Sequence, residues 1–199
     1  VKALNKNLGL NITQYATFNW KAVADAINIL GGVDVELSDA EFSWINAFIT
    51  ETVKETGIGS HQLTHAGNVH LDGIQAVAYG RIRYSDTDYA RTERQRIILQ
   101  KAFDKAKNAD WATLNCLIQT IMPQLATNVD ITDLIPLARN IAKFHIGETA
   151  GFPAARGEQD VGKIGDCVIP QTLEYNVKEL HKFLLQDSSP LLLLPTYPI

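Results

Sequence analysis

Arginines are concentrated in one short stretch, Tyr79 to Gln100, which reads YGRIRYSDTDYARTERQRIILQ. Five of the chain's seven arginines lie between residues 81 and 96, in a protein whose formal charge is −4. Arginine, unlike lysine, offers a planar fork of donors that matches a phosphate or a carboxylate. Two guanidinium groups about 7 Å apart repel by roughly 2 kcal/mol at an effective dielectric of about 20. A packed cluster therefore requires a bound anion or interleaved carboxylates, which Asp86, Asp88 and Glu93 supply only in part.

The spacing of the arginines predicts how they are presented. Residues 79–84 alternate in character, so Arg81 and Arg83 share a face if this segment is extended. A turn is predicted at 85–88 and a helix from about residue 90. Three polar residues share one face in the first turns of that helix: Arg91, Arg94 and Gln95. Arg96 is predicted to be solvated.

The apolar face of the same helix is predicted to pack against the rest of the domain. It consists of Ile98, Leu99, Ala102, Phe103 and Ala106. In a purely structural interpretation, Asp88 caps the helix and the arginines form a solvated face. However, these arginines occupy the positive end of the helix dipole, which helix stability alone disfavours and which an anion favours.

These residues resemble the signature of the LytR-CpsA-Psr family, also called the cell-envelope-related transcriptional attenuator domain. The signature is R-x-R, a short variable turn, and then D-x-x-R-x-x-R-Q. Its six fixed positions are matched by Arg81, Arg83, Asp88, Arg91, Arg94 and Gln95. The segments GGVDVEL (31–37), HLDGIQAVAY (70–79) and LHKFLL (180–185) also resemble this family. The likeness extends from residue 1 to about Leu185.

The resemblance implies a cell-wall glycopolymer phosphotransferase with magnesium as cofactor. Such an enzyme moves an anionic glycopolymer, a teichoic acid or a capsular polysaccharide, from a polyprenyl-pyrophosphate carrier to peptidoglycan. It is expected on the outer face of the cytoplasmic membrane of a bacterium, held by an N-terminal anchor that this sequence does not contain. No run reaches the roughly 18 apolar residues of a membrane span. The pI near 5.7 argues against nucleic acid as a partner.

The resemblance also assigns roles to the signature residues. The catalytic residues are expected to be Asp88, Arg91 and Arg94, and the pyrophosphate-binding residues Arg81, Arg83, Arg91, Arg94 and Gln95. Asp88 either accepts the proton of the attacking sugar hydroxyl or orients an arginine or magnesium. Replacing Arg91 or Arg94 with alanine is expected to weaken carrier binding by roughly 1.5–3 kcal/mol per lost bond. Folding stability is then expected to hold or rise, because like-charge repulsion is relieved.

The candidate magnesium ligands in this sequence are Asp86 and Asp88. By resemblance, the family's further acidic residues belong to a segment before Val1, so this chain is expected to lack the main ligands. The hypothesis follows that residues 1–199 alone bind magnesium poorly and do not turn over. Two other functions stay open: a binder of polyprenyl phosphate or wall polymer without turnover, and a transcriptional attenuator.

Other chemistry has weaker support. A zinc site from His61, His65 and His70 is conceivable, but solvated or backbone-bonded histidines are favoured because no acidic or cysteine partner has ligand spacing. Cys116 and Cys167 either form the one possible disulfide or remain free thiols. Nucleophile-elbow, P-loop and zinc-protease motifs are absent from the sequence.

The predicted fold is an α/β class, layered α/β/α domain with a mixed central sheet covered by helices. It occupies residues 1–187 and is followed by a Pro/Leu-rich tail at 188–199. Helices are predicted at 1–8, 20–30, 38–55, 71–79, 90–108, 111–125, 130–144 and 171–185. Strands are predicted at 13–19, 33–37, 145–149 and 164–169.

Overall fold

The structure, a computed structural model, describes residues 1–83 and 88–185, without the side chains of Asp88, Ile164 and Asp166. Eight α-helices are present in that part of the chain: α1 Lys2–Leu8, α2 Trp20–Ile29, α3 Asp39–Thr56, α4 Gly73–Arg81, α5 Asp88–Lys107, α6 Trp111–Ile121, α7 Ile131–Arg139 and α8 Leu173–Leu185. Short 3-10 turns lie at Met122–Gln124, Ile141–Lys143 and Gly162–Ile164. The predicted tail at 188–199 and Asp86 lie outside the described residues.

The described strands pair two by two and antiparallel. They are β1 Ala16–Thr17 with β4 Ala126–Thr127, β2 Val33–Leu37 with β3 Gly67–Leu71, and β5 Arg156–Asp160 with β6 Asp166–Pro170. The predicted α/β class is confirmed. One mixed sheet is predicted, but the described strands form three separate two-stranded ladders. Each described strand pairs with a single partner.

The hydrophobic core forms where the sequence alternates most regularly. In β2, Val33, Val35 and Leu37 are buried while the residues between them are exposed. Val69 and Leu71 of β3 are buried beside them. This inward face accounts for the prediction of a strand at 33–37, which is confirmed.

Helix α3 follows β2 directly because Ser38 begins it with a capping box. The Ser38 side chain accepts from the backbone N–H of Glu41, and the Glu41 carboxylate accepts from the backbone N–H of Ser38 at 3.0 Å. The helix buries Ile45, Phe48 and Ile49, as its periodicity predicts. The helix predicted at 38–55 is therefore confirmed.

Helix α4 is buried along almost its whole length, with every residue from Gly73 to Gly80 below the surface. Asp72 caps it, since its side chain accepts from the backbone N–H of Gln75. A Cβ built on Gly73 would lie 1.9 Å from the carbonyl oxygen of Ala24, so α2 and α4 approach backbone to backbone. This close approach fixes the start of α4 against α2.

The described chain separates into two compact units. One spans Thr13 to Gly147 and contains α2 to α7 with β1 to β4. The other combines residues 1–12 with residues from 148 onward. In this second unit Asn176 of α8 is fully buried and joins the helix to Ala155 by hydrogen bonds of 2.8 Å in both directions.

Several predictions of local structure are wrong. Residues 145–149 are not a strand, and β5 lies at 156–160 instead. All five residues of β5 are exposed, so its sequence carries no apolar alternation that would reveal it. Leu99, predicted to face inward, is 66% exposed.

Two prolines explain further differences in where helices begin and end. Helix α6 ends at Ile121, before Pro123, where a 3-10 turn replaces the predicted continuation to 125. Pro170 ends β6, and α8 begins three residues later at Leu173. Arg81 belongs to helix α4, so the alternating segment 79–84 is not extended at its start.

The cysteines and histidines have simple roles in the structure. Cys116 and Cys167 are free thiols. His65 contacts the backbone carbonyl of Ala66 at 2.7 Å, and His70 hydrogen-bonds Asp34 at 2.7 Å, which lowers the pKa of Asp34. Within residues 1–83 and 88–185, no helix combines the length and the apolarity needed to cross a bilayer.

Candidate active site at the arginine cavity

A cavity of about 460 Å³ lies where α3, the end of α4 and the start of α5 meet. Its described lining consists of Trp20, Phe48, Glu51, Gly80, Arg81, Arg83, Arg91 and Gln95. Four of the five residues predicted to bind pyrophosphate therefore line one cavity. We refer to it below as the arginine cavity.

Arg81 is bonded to several side chains of the cavity wall. Its Nη1 and Nη2 atoms lie 2.7 and 3.2 Å from the two carboxylate oxygens of Glu55. Nη1 also donates to Thr52 at 3.0 Å, and the guanidinium lies 5.3 Å from the ring centre of Trp20. The carboxylates that a packed arginine cluster requires are thus supplied from α3. Arg81 is held as part of the wall, with its donor fork on Glu55.

Arg83 and Arg91 bring the other positive charges to the cavity. Arg83 follows α4 and is exposed, whereas Arg91 lies in the first turn of α5 and is half-buried. Gln95, one turn further along α5, donates from Nε2 to the carbonyl oxygen of Gly80 at 3.1 Å. This bond ties the start of α5 to the end of α4. It keeps the two arginine-bearing segments beside the same cavity.

Arg94 is placed differently, since it is only 3% exposed and does not line the cavity. Its Nη2 donates to the carbonyl oxygen of Ile82 at 2.6 Å, and its Nη1 lies 3.4 Å from Glu41. The guanidinium also lies 6.0 Å from the ring centre of Tyr79. Arg94 therefore connects α5 to the end of α4 and to the capped start of α3. Arg91 and Arg94 have the predicted i, i+3 spacing on α5, but of the two only Arg91 lines the cavity.

The structure describes only some of the acidic residues that the sequence places near the arginines. Asp88 is the first residue of α5, but its side chain and the whole of Asp86 lie outside the described residues. Glu93 pairs with Arg96 within α5, so Arg96 is not simply solvated as predicted. Within the described part of the chain, no group of three or more His, Cys, Asp or Glu side chains could hold a metal ion.

Several residues at the cavity lie outside the arginine motif and are not predicted by it. Trp20, Phe48 and Glu51 line the cavity, and Glu55 and Thr52 hold Arg81. Phe48, Glu51, Thr52 and Glu55 recur at helical spacing along one face of α3. A sequence signal does exist, because the apolar face of α3 turns polar at Thr52, which is fully buried.

Comparison with known proteins identifies the family. The profile of the LytR_cpsA_psr family matches residues 1–152. The chain belongs to the LytR-CpsA-Psr family. Its membership confirms the resemblance seen in the arginine motif. The matched region contains all the described residues that line the arginine cavity.

Two relatives of this LytR-CpsA-Psr chain carry the same enzyme name. It is 26% identical over 147 residues to TagV of Bacillus subtilis, named polyisoprenyl-teichoic acid–peptidoglycan teichoic acid transferase; the match covers 72% of this chain and 35% of that protein. It is 29% identical over 143 residues to TagU of Bacillus mycoides, which has the same enzyme name, with 70% and 42% covered. The chain thus spans between about a third and two fifths of the length of these relatives.

The crystal structure of B. subtilis TagT has the same fold, with a TM-score of 0.64 at 23% identity. The match covers 94% of this chain and 65% of the TagT chain. The likeness extends well beyond the family match at residue 152. It supports the α/β assignment for the described part of the chain.

Proposed function

We propose that this protein transfers an anionic wall glycopolymer, carried as a polyprenyl pyrophosphate, to a hydroxyl of peptidoglycan. The observation that carries the proposal is the convergence of Arg81, Arg83 and Arg91 on one cavity. The names of the relatives TagV and TagU supply the substrate class. Teichoic acid is therefore the first polymer to test.

The chemistry of the cavity suits this reaction. Transfer breaks a P–O bond of the pyrophosphate, and negative charge develops on the departing polyprenyl phosphate. Fixed guanidinium groups stabilise such charge more strongly in a cavity than in water. Arg83 and Arg91 are the residues we assign to contact with the pyrophosphate. Arg81, bonded to Glu55 of α3, forms the part of the cavity wall beside them.

Gln95 and Arg94 support the site by joining the two helices that carry its arginines. The bond from Gln95 to Gly80 and the bond from Arg94 to Ile82 both join α5 to the end of α4. They set the distance between Arg83 and Arg91, because these two arginines flank that junction in the chain. Positioning of this kind contributes strongly to phosphoryl transfer, in which the protein mainly orients and stabilises charge.

Magnesium, an N-terminal membrane anchor and a location on the outer face of the membrane are part of the proposal. Bound magnesium would supply further charge neutralisation at the phosphates. Asp86 and Asp88 are the ligands that this chain offers by sequence. No step of the mechanism above depends on the metal.

The test is a transfer assay with full-length protein carrying this chain, a short-chain polyprenyl-pyrophosphate-linked teichoic acid, magnesium and peptidoglycan. Mass spectrometry should detect glycopolymer on peptidoglycan with release of polyprenyl phosphate. Arg91→Ala should reduce transfer by about 100-fold, in line with loss of one charged donor to the transition state. Arg139→Ala, which removes an arginine that contacts Trp111 outside the cavity, is the control and should have no effect.

Binding is measured separately with geranyl pyrophosphate and the same variants. Weakened binding by Arg91→Ala alone supports the site assignment. Tight binding without any transfer product would make the protein a binder and overturn the proposed activity. A lack of both binding and transfer in the wild type would overturn the site as well.

A further inference from the structure

One acidic side chain stands among the arginines of the cavity. Glu51 is the single carboxylate in the described lining of the arginine cavity. Its side chain is 52% exposed, and its Oε1 lies 3.4 Å from Nη2 of Arg81. A carboxylate in a site built for an anion repels the ligand, so binding alone does not explain its presence.

The two glutamates that touch Arg81 have different environments. Glu55 accepts from both terminal nitrogens of Arg81, at 2.7 and 3.2 Å. Glu51, one helical turn earlier, makes the longer contact of 3.4 Å through one oxygen. Glu55 thus neutralises Arg81 within the wall. Glu51 is positioned by Arg81 while it remains open to the cavity.

The proposed reaction requires a group that takes a proton. The acceptor is a glycan hydroxyl, and a hydroxyl is a weak nucleophile until its proton is removed. Arginine stays protonated and glutamine cannot accept a proton at this step. Among the described lining residues, Glu51 is the side chain whose chemistry suits the task.

We propose that Glu51 is the general base of the transfer reaction, an inference that rests on the proposed function. The acceptor oxygen forms a bond to the phosphorus of the glycopolymer phosphate. The P–O bond to the polyprenyl phosphate breaks, and that group leaves with the bonding electron pair. The hydroxyl proton passes to the Glu51 carboxylate. Arg81 keeps this carboxylate oriented, while Arg83 and Arg91 face the departing phosphate.

The main test compares Glu51→Gln with wild type in the transfer assay. Glu51→Gln keeps size and polarity but cannot accept the proton, so kcat should fall by about 100-fold or more. Its KM for the carrier should be unchanged or lower, because a negative charge near the anion is removed. The fall in wild-type rate toward acidic pH should be absent in the variant. Glu51→Asp should recover part of the activity.

Control variants separate this role from a structural one. Glu36→Gln changes an exposed glutamate of β2 outside the cavity and should leave kcat, KM and the pH profile unchanged. Thermal unfolding should show that Glu51→Gln folds as the wild type does. Asp88→Asn tests the aspartate of the motif. A loss of the acidic limb in Asp88→Asn but not in Glu51→Gln would assign the base to Asp88 and overturn our proposal.

Two further outcomes also decide the matter. If wild type transfers glycopolymer and Glu51→Gln does so at the same rate with the same pH profile, Glu51 is not the base, and the proposed function stands. If the magnesium concentration needed for half-maximal rate rises strongly in Glu51→Gln, Glu51 is a metal ligand and the base assignment is wrong. An unchanged magnesium dependence with a lost acidic limb supports the assignment. Failure of wild type to transfer refutes both proposals together.

Discussion

Helix α4 and strand β5 belong to different units and are stabilised in different ways. Eight consecutive residues of α4 are buried, from Gly73 to Gly80. All five residues of β5 are exposed. Among the described side chains of residues 148–185, Asn176 alone is buried. One element is held by apolar packing and the other by directed hydrogen bonds.

The difference matters for the candidate site. The arginine cavity lies at the end of the packed element, where α4 ends at Arg81 and Arg83 follows. Buried apolar surface contributes roughly 25 cal/mol per Å², and tight packing resists displacement. Arg81 and Arg83, which are expected to hold an anion in a fixed geometry, therefore lie at the end of a fully packed helix. The hydrogen-bonded unit carries no residue of the predicted site.

The packing of α4 can be broken at a single atom. Gly73→Ala places a Cβ 1.9 Å from the carbonyl oxygen of Ala24 and 2.6 Å from its carbonyl carbon. Backbone cannot move aside as a flexible side chain would, so we expect about 3 kcal/mol of destabilisation or more. Urea unfolding measures it. Gly59→Ala, where nothing lies within 4 Å of the added Cβ, should shift the free energy of unfolding by less than about 0.5 kcal/mol.

If the unfolding curve of Gly73→Ala matched that of wild type, α2 and α4 would be able to move apart without any loss in the free energy of unfolding. The contrast between a packed and a hydrogen-bonded unit would then be lost. Equal destabilisation by Gly59→Ala would show that the loss of stability does not come from the contact with Ala24.

Arg94 tests a polar contact inside the packed region. Arg94→Met removes a guanidinium whose side chain is 4% exposed and leaves the carbonyl of Ile82 and the carboxylate of Glu41 without it. We expect roughly 2–3 kcal/mol of destabilisation. This reverses the expectation from the sequence, in which loss of Arg94 holds or raises stability. Arg96→Met, at a half-buried pair with Glu93, should cost less than about 1 kcal/mol.

Thermal unfolding and geranyl pyrophosphate binding should be measured on the same samples. Arg94→Met should unfold early and lose binding only as far as the junction of α4 and α5 loosens. Full stability with abolished binding would return Arg94 to direct contact with the pyrophosphate. That result would contradict its place outside the cavity.

Much of the packed unit is predictable from sequence because its local signals agree. Ser38 and Glu41 form a capping box, and β2 alternates in the register that the structure shows. The placement of Arg94 is not predictable in this way. Helical spacing puts it on the face of Arg91, but which side of that face meets the carbonyl of Ile82 depends on how α5 packs on α4. Helical spacing predicts which face of α5 carries Arg94, but tertiary contacts determine how deeply that side chain is buried.

The hydrogen-bonded unit is harder to predict for a related reason. Strand β5 reads RGEQD, without a single apolar residue, so no periodicity marks it. Its partner β6 contains Val168 and Ile169 and is placed within two residues by the sequence. Likewise Glu51 draws no attention as one of several charged residues on α3. Only the position of Arg81 turns it into a cavity residue.

Asn176 provides the smallest and most local of these tests. Its Oδ1 accepts from the backbone N–H of Ala155, and its Nδ2 donates to the carbonyls of Ala155 and Thr172. Asn176→Ala leaves these groups with fewer partners, and we expect roughly 1–2 kcal/mol of destabilisation. Asn7→Ala removes an exposed asparagine with one bond within α1 and should have almost no effect.

Hydrogen exchange shows where the loss from Asn176→Ala falls. If directed bonds hold the unit of residues 1–12 and 148–185, amides of β5, β6 and α8 should exchange faster while those of α4 keep their protection. Geranyl pyrophosphate binding should be unchanged, because no cavity residue belongs to this unit. Faster exchange in α4 as well would show that the two units unfold as one. The contrast between packing and hydrogen bonding would then describe their contacts but not their stability.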